Sequence, residues 1–184
     1  AFLERERWNI SEIPCEKFPL LLHYHPLVIY RHQVIKQADT VLALLLLHDQ
    51  FSFPQKRRDF NYYEPLTTGD SSLSACIQGV IALELGYNGI GKKYARSTAF
   101  VDIEDLQGNT SEGLHTASMA GSWMLVVYGF AGLRYREGVP WINPRSLPEN
   151  WKQLEFSLKT SSGLLFVRIN SDWTEYSCKE RYLE

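Results

Sequence analysis

Residues 67–86 read TTGDSSLSACIQGVIALELG. Ser71 or Ser72 can cap a helix that runs to Leu85, and Gly86 stands just after it, where a left-handed backbone favours glycine. The free backbone N–H groups and the dipole at the start of such a helix favour an anion. Capping alone explains the same serines without any ligand. The segment therefore predicts a helix whose first turn is either an anion site or an ordinary cap.

Two helices are predicted before this stretch. Leu27–Leu47 follows Pro26, contains neither Gly nor Pro, and carries apolar residues close to a 3.6-residue period. Towards its end it is apolar on all sides, which is typical of a helix buried on more than one side. Ser52 and Gln55 have the spacing of a capping box, so a short second helix is predicted from there to Tyr62.

Two more helices are predicted after it, from Gly89 to Ile103 and from Glu112 to Leu133, with Thr110 or Ser111 capping the second. Small residues recur along that second helix: Gly113, Ala117, Gly121 and Gly129. Glycine inside a helix costs about 1 kcal/mol relative to alanine. A close approach by a neighbouring helix or a ligand is the expected compensation.

The pattern changes after Arg136, where prolines at 140, 144 and 148 interrupt any helix. Apolar and polar residues alternate over Leu154–Leu158 and again over Leu165–Ile169, with a Ser-Ser-Gly turn between them, which predicts a β-hairpin. Thr174–Cys178 is a candidate third strand. The predicted fold is mainly α, followed by a short antiparallel β region.

Composition excludes several classes of protein. The 184 residues are 45% apolar, which is typical of a globular chain, and their net charge of −2 gives no electrostatic basis for binding nucleic acid or an anionic membrane. The longest apolar run, Val41–Leu47, is far shorter than the ~20 residues that span a bilayer. No signal peptide is recognised, and the three cysteines, Cys15, Cys76 and Cys178, form no disulfide or metal pattern. A cytoplasmic protein is expected.

Lys36 and Gln37 are unusual because they fall in the middle of the predicted apolar helix. Neighbouring helix residues point about 100° apart, so both cannot face solvent if that helix is buried. Such a pair can reach the hydroxyls of a sugar. The alternative is a surface stripe in which Asp39 pairs with Lys36.

His115 is a second polar candidate, near the start of the glycine-spaced helix. If protonated beside an anion site it would complement the charge of a phosphate, although a lone helix histidine can equally be structural. The carboxylates of Glu64, Asp70, Glu104 and Asp105 are candidates for acid–base chemistry, but no spacing singles one out. Glu104 and Asp105 are interpreted as an ordinary helix end.

Three blocks of sequence together resemble glycoside hydrolase family 65, which includes the inverting disaccharide phosphorylases for maltose, trehalose and kojibiose. The blocks are QVIKQAD at 33–39, YYEPLTT with DSSLS at 62–74, and GNT, EGLH and MAG between 108 and 121. Their order and spacing make the resemblance specific, and it extends from about Pro19 to Leu158. It implies the last helices of an (α/α)6 barrel in residues 1–136, then a linker and the start of a small β-sandwich domain in residues 137–184.

The resemblance also implies the roles of individual residues. Ser71, Ser72 and His115 stand where the family binds phosphate, and Lys36 and Gln37 where it binds glucose hydroxyls. Phosphate is the implied co-substrate, with no metal and no organic cofactor. The family's general-acid glutamate belongs upstream of Lys36, so this chain alone is expected to be inactive without the remainder of the barrel.

The expected reaction converts an α-glucoside and phosphate into β-glucose 1-phosphate and a sugar. A homodimer of the complete enzyme is compatible with the resemblance. Two alternatives stay open. One is a trehalase-like hydrolase of the same family, in which a carboxylate such as Asp70 would replace the phosphate site. The other is a non-catalytic helical interaction module.

Overall fold

Helix α5 (Ser72–Glu84) lies at the centre of the helical part of the chain. It forms where the sequence predicts it, with the Ser71 hydroxyl accepting the N–H of Leu73 and with Gly86 at φ +82° after its end. Its buried side chains include Val80 and Ile81, which are fully enclosed. The computed structural model describes residues 2–180.

The described residues form six further α-helices, four before α5 in the chain and two after it. They are α1 (Leu20–His23), α2 (Pro26–Ile29), α3 (Asp39–Leu46), α4 (Phe53–Tyr63), α6 (Asn88–Phe100) and α7 (Thr116–Met124). The predicted start of α4 is confirmed, because the Ser52 hydroxyl accepts the N–H of Gln55. Helix α5 packs against α3, α6 and α7.

Glycines in the last helical segment allow it to approach α5 closely, as their spacing predicts. A Cβ at Gly121 would stand 2.9 Å from the Cβ of Cys76, and a Cβ at Gly129 would stand 2.9 Å from Cδ1 of Leu83. The Cys76 thiol also donates to the Gly121 carbonyl at 3.2 Å. The compensation for the two glycines is therefore contact with a neighbouring helix.

The continuous helix predicted over Leu27–Leu47 is wrong. Helix α2 ends at Ile29 and α3 begins at Asp39, so Lys36 and Gln37 lie in the intervening loop. The buried amide of Gln33 holds this loop, since its Nε2 donates to the Arg5 carbonyl at 2.7 Å and its Oε1 accepts from the Tyr62 hydroxyl at 2.6 Å. These long-range bonds outweigh the local helical preference.

The predicted helix over Glu112–Leu133 is wrong at both ends. Thr110–Glu112 forms a separate 3₁₀ turn, and Gly113 at φ +142° breaks the chain direction before α7 starts. After Met124 the chain continues as a wider π-helical segment, Leu125–Phe130. Gly132 at φ +66° then leads into a strand.

Two antiparallel sheets complete the described chain. Strands β1 (Leu133–Arg136) and β2 (Val139–Ile142) form a hairpin that the proline pattern concealed. Strands β3 (Leu154–Thr160), β4 (Gly163–Ile169) and β5 (Thr174–Glu180) form a meander, which confirms the predicted hairpin and third strand. Leu154, Val167 and Ile169 belong to the same buried cluster as the helices, so the meander packs on the helical core.

The predicted class, mainly α followed by a short antiparallel β region, is confirmed. The predicted division at residue 136 stays a prediction; it falls between β1 and β2, and residues 181–184 of the second predicted domain lie outside the described residues. None of the helices in residues 2–180 is long and apolar enough to cross a membrane.

Candidate functional site

A short parallel pairing between two loops brings the polar clusters together. The Ile35 N–H donates to the Leu66 carbonyl at 2.9 Å, and the Thr68 N–H donates to the Ile35 carbonyl at 2.9 Å. Lys36 and Gln37 follow directly on one strand of this pairing, and the hydroxyl-rich loop before α5 follows on the other. The two clusters therefore lie side by side although more than thirty residues separate them in sequence.

Gln37 contacts the serine that caps α5. Its Nε2 donates to the Ser71 hydroxyl at 3.3 Å, while the Ala38 N–H donates to the buried Ser74 hydroxyl at 3.1 Å. Lys36 is exposed, and no ion pair joins it to Asp39 within the described residues. The proposed pairing of these two residues on a surface stripe is absent from this part of the chain.

A cavity of about 390 Å³ opens at this point. Its lining consists of Lys36, Asp70, Ser71, Ser72, Leu73, Gln107, Asn109, Leu114, His115, Thr116 and Ala117. The first residues of both α5 and α7 contribute to it, so two helix N-termini converge on one space. Backbone N–H groups and helix dipoles at such positions favour negative charge.

His115 is fixed by a carboxylate from the end of α6. Asp102 Oδ1 accepts from His115 Nδ1 at 2.6 Å, and Asp102 Oδ2 accepts from the backbone N–H of His115 at 2.9 Å. This pair leaves Nε2 of the imidazole as the ring nitrogen available to the cavity. Sequence reasoning missed Asp102, because nothing in its local pattern links it to a histidine thirteen positions later.

Asp105 shapes the wall of the cavity that carries Gln107 and Asn109. Its Oδ1 accepts from both the hydroxyl of Thr110 at 2.7 Å and the backbone N–H of Thr110 at 3.0 Å. These hydrogen bonds, that from the hydroxyl first, lower the pKa of the Asp105 carboxyl. Asp105 therefore closes a turn, a role close to the helix-end interpretation of its sequence.

The other candidate carboxylates are engaged in the fold. Asp70 Oδ2 accepts the backbone N–H of Leu20 at 3.1 Å, and the Glu104 carboxylate pairs with both terminal nitrogens of Arg96. Glu64 accepts the hydroxyl of Tyr94 at 2.8 Å. Burial, and then this carboxylate, raise the pKa of Tyr94 well above its ordinary value.

A second cavity of about 350 Å³ lies behind the first and shares Ser71, Ser72 and Gln107 with it. Gln78 and Thr98 line it and are almost fully buried. Gln78 Nε2 and Thr98 Oγ1 have no hydrogen-bond partner among the described residues. Polar atoms of this kind are usually satisfied by water or ligand, so the mainly apolar space behind the serines contains at least two unsatisfied polar groups.

Of the five site residues predicted from the sequence, Lys36, Ser71, Ser72 and His115 line the first cavity, and Gln37 touches it through Ser71. Their roles stay predictions. The arrangement offers a cation, an oriented imidazole, hydroxyls and two helix N-termini, which together can hold an anion beside a group rich in hydroxyls.

Comparison with known proteins gives matches over nearly the whole chain. Residues 1–124 match the model for the glycosyl hydrolase family 65 central catalytic domain, and residues 133–181 match the model for the C-terminal domain of the same family. Together the two matches cover the helical part and the meander.

Several of the similar proteins are named as phosphorylases. An alpha,alpha-trehalose phosphorylase from Geobacillus stearothermophilus is 42% identical over 95% of this chain and 23% of its own length. A maltose phosphorylase from Bacillus subtilis is 33% identical over 92% of this chain and 22% of its own length. A solved structure from the human microbiome, named as a candidate kojibiose phosphorylase, superposes with a TM-score of 0.90 at 32% identity over 97% of this chain and 24% of that one. The chain thus spans about a quarter of the length of the relatives that it matches.

Proposed function

The chain belongs to glycoside hydrolase family 65, and from this premise we propose that it supplies part of an inverting disaccharide phosphorylase. In the proposed reaction a phosphate oxygen attacks the anomeric carbon of an α-glucoside from the face opposite the glycosidic oxygen. The glycosidic C–O bond breaks, a carboxylic acid protonates the departing oxygen, and β-glucose 1-phosphate and a free sugar are formed.

The observation that carries this proposal is the convergence of the α5 and α7 N-termini on a cavity that also holds Lys36 and His115. A hydrolase needs a carboxylate base to activate water, whereas phosphate is already a nucleophile. Phosphorolysis instead needs donors that hold a dianion. Ser71, Ser72 and the Nε2 of His115 are proposed to provide them, with Asp102 fixing the orientation of the imidazole.

The sugar is proposed to lie against Lys36 and Gln37. An ammonium and a carboxamide can both hydrogen-bond to glucose hydroxyls, and the bond from Gln37 to Ser71 joins the sugar side of the site to the phosphate side. That contact suits a reaction in which the nucleophile must be aligned with the anomeric carbon. The proposed substrate is trehalose, maltose, kojibiose or a similar α-glucoside.

The general acid and the other helices of the barrel are proposed to come from outside residues 1–184. Large apolar side chains on the helical part support this, since Leu22 is 76% exposed, Leu46 67% and Trp123 52%. The remainder of the barrel is the proposed cover, and a homodimer of the complete enzyme remains compatible with it.

The hydrolase alternative requires a free carboxylate base in the phosphate position. Asp70 is the carboxylate in the lining of the cavity; its Oδ2 accepts the N–H of Leu20, and its buried Oδ1 has no hydrogen-bond partner among the described residues. The hydrogen bond to Leu20 fixes the position of the carboxylate. It gives Asp70 a structural role in tying the N-terminal segment to the loop before α5.

The experiment incubates the full-length protein with trehalose, maltose and kojibiose, with and without phosphate. Phosphate-dependent formation of β-glucose 1-phosphate from at least one sugar is expected, and the isolated 184-residue chain is expected to show no turnover. Sugar release without phosphate would indicate the hydrolase. Absence of turnover together with no affinity for sugar or phosphate would indicate an interaction module.

A further inference from the structure

A third cavity, of about 350 Å³, lies on the other side of the helical core, where α4 and α5 meet the β1–β2 hairpin. Its lining consists of His48, Phe51, Phe53, Lys56, Glu84, Arg134, Arg136, Trp141, Asn143 and Arg145. None of these residues lines either cavity of the candidate site. The proposed phosphorolysis makes no use of this space.

The lining carries a surplus of positive charge. Four basic side chains face a single carboxylate, that of Glu84. Both oxygens of Glu84 are already engaged, because Oε1 accepts from Lys56 Nζ at 2.6 Å and Oε2 accepts from Arg134 Nη2. Two cations are therefore compensated by one carboxylate, and no ion pair among the described residues joins Arg145 to a carboxylate.

Two guanidinium groups have unsatisfied donors at this place. Arg134 is 4% exposed, and its Nη1 donates to the carbonyls of Tyr128 at 2.8 Å and Leu133 at 2.7 Å, but its Nε has no partner among residues 2–180. The Nε of Arg145 is likewise buried and without a partner there. Burial lowers the pKa of Arg145, with Glu84 opposing the effect and Arg134 adding to it.

Arg145 as a whole is half-buried, and partly desolvated charge without an ion-pair partner is costly, so a fold rarely keeps it without a use or a partner. Waters could satisfy the orphaned N–H donors but would leave the net positive charge in place. An anion would satisfy the N–H donors and would also compensate the positive charge. Arginine is also the side chain whose fork of N–H donors matches carboxylate and phosphate oxygens.

We propose that this cavity binds an oxyanion, a carboxylate or phosphate group, held by Arg145 and the free Nε of Arg134. The Arg136 guanidinium, stacked 4.2 Å above the Trp141 ring, and the Asn143 side chain complete the lining at the hairpin. The group can come from a free small anion or from an acidic side chain elsewhere in the same polypeptide, since this chain spans about a quarter of the length of its relatives. The proposal does not depend on the proposed phosphorolysis.

The test measures the thermal midpoint of the full-length protein with increasing phosphate or citrate at constant ionic strength. Wild type is compared with Arg145→Gln, Arg145→Lys and Arg58→Gln, the last removing a charge from the exposed surface of α4. Any anion at the candidate phosphate site acts equally on all four proteins, so the difference between Arg145→Gln and Arg58→Gln isolates the third cavity.

A free anion is indicated if the rise in midpoint with added anion is reduced in Arg145→Gln but not in Arg58→Gln. A carboxylate of the same polypeptide is indicated if Arg145→Gln lowers the midpoint before any anion is added and the rise in midpoint with added anion is then the same as in Arg58→Gln. In the first case Arg145→Lys should recover part of the anion-dependent rise in midpoint, and in the second case part of the midpoint itself. An unchanged or raised midpoint in Arg145→Gln, with an unchanged response to anions, would overturn the proposal. Removing one positive charge from an empty cationic cavity relieves repulsion between its basic side chains, so this result is expected if no anion binds there. If Arg145→Lys recovers neither the midpoint nor the anion response, the effect of Arg145→Gln is due to lost packing, and this result would also overturn the proposal.

Discussion

Asp102 forms two hydrogen bonds with His115, with one carboxylate oxygen 2.6 Å from the imidazole Nδ1 and the other 2.9 Å from the backbone nitrogen. A single side chain thus caps the start of α7 and sets the ring orientation in the cavity. The pairing resembles the way carboxylates commonly orient functional imidazoles through the nitrogen that faces away from the ligand. It makes Asp102 a positioning residue for the proposed phosphate site.

Replacing Asp102 with asparagine should weaken the use of phosphate. The amide cannot accept at both points as the carboxylate does, so His115 loses its fixed orientation. We expect kcat/KM for phosphate to fall about tenfold or more, the size of a lost hydrogen bond to a charged group, with the KM for the disaccharide little changed. Glu104→Gln, two residues later and paired with Arg96 on the surface, is the matched control. An equal effect of the two substitutions would argue against a role for the Asp102–His115 pair.

His115→Ala should reduce phosphate use more than sugar binding. The substitution removes the ring nitrogen that faces the cavity while leaving both serines in place. Steady-state kinetics with phosphate varied at saturating disaccharide, and the reverse, separate the two effects. His23→Ala, at an exposed position of α1, controls for the loss of a histidine. A larger effect on disaccharide binding than on phosphate would contradict the assignment.

Gln37→Ala should reduce transition-state stabilisation by roughly 1–3 kcal/mol, the usual cost of leaving a hydrogen-bonding group unpaired. The loss should be measured as a fall in kcat/KM for the disaccharide. Part of this loss should be shared with Ser71, because Gln37 Nε2 donates to its hydroxyl. A double-mutant cycle with Ser71→Ala measures that coupling. Gln50→Ala, on an exposed turn, is the control. If kcat/KM is unchanged in Gln37→Ala, the pair Lys36–Gln37 does not contact substrate.

Glu84→Gln should destabilise the fold by about 3–5 kcal/mol at neutral pH, because it leaves Lys56 and Arg134 buried without their carboxylate. Burial would raise the pKa of Glu84, but Arg134 and Lys56 outweigh it and lower this pKa. The stabilisation is therefore present above the unfolded-state pKa of about 4.3 and is lost as pH falls through the folded-state value. Urea unfolding at several pH values should show the difference from wild type shrinking in acid. Glu155→Gln, from the exposed pair with Arg168, should cost at most about 1 kcal/mol.

Cys76 should resist alkylation in the folded protein. Burial raises the pKa of its thiol to about 11, so little thiolate forms at pH 8, and the side chain is enclosed between α5 and α7. Cys15 and Cys178 are exposed and should react with iodoacetamide within this chain. Mass spectrometry of peptides from protein labelled with and without denaturant shows which of the three cysteines has reacted. Rapid labelling of Cys76 without denaturant would show that the helices separate readily.

Gly121→Ala should destabilise by about 1–3 kcal/mol through overpacking against Cys76, since the added Cβ would stand 2.9 Å from the Cys76 Cβ. Gly89 in α6 has no atom within 4 Å of an added Cβ. Gly89→Ala should therefore be neutral or stabilising by up to about 1 kcal/mol, as helix propensity predicts. Unfolding midpoints of the two variants check the contrast. A neutral Gly121→Ala would mean that the helices can move apart without cost.

The sequence by itself determined the features that depend on neighbours along the chain. Ser52 and Gln55 predict the start of α4, Ser71 and Gly86 delimit α5, and the alternation around Gly163 predicts the β3–β4 hairpin. Caps, periodicity and turns act within a few residues, so their signals are present in a short window of sequence. The five predicted site residues also lie in short blocks of sequence, and their roles stay predictions.

The tertiary structure alone decided where those blocks lie. A helical period continues through Leu27–Leu47, yet the buried amide of Gln33 and the pairing of Ile35 with Thr67 turn residues 30–38 into a loop. The partnership of Asp102 with His115 also depends on two segments meeting in space. Bonds between distant segments satisfy buried polar groups that would otherwise cost free energy, and this can outweigh local helix propensity of a few tenths of a kcal/mol per residue. No local window of sequence contains both partners of such a bond.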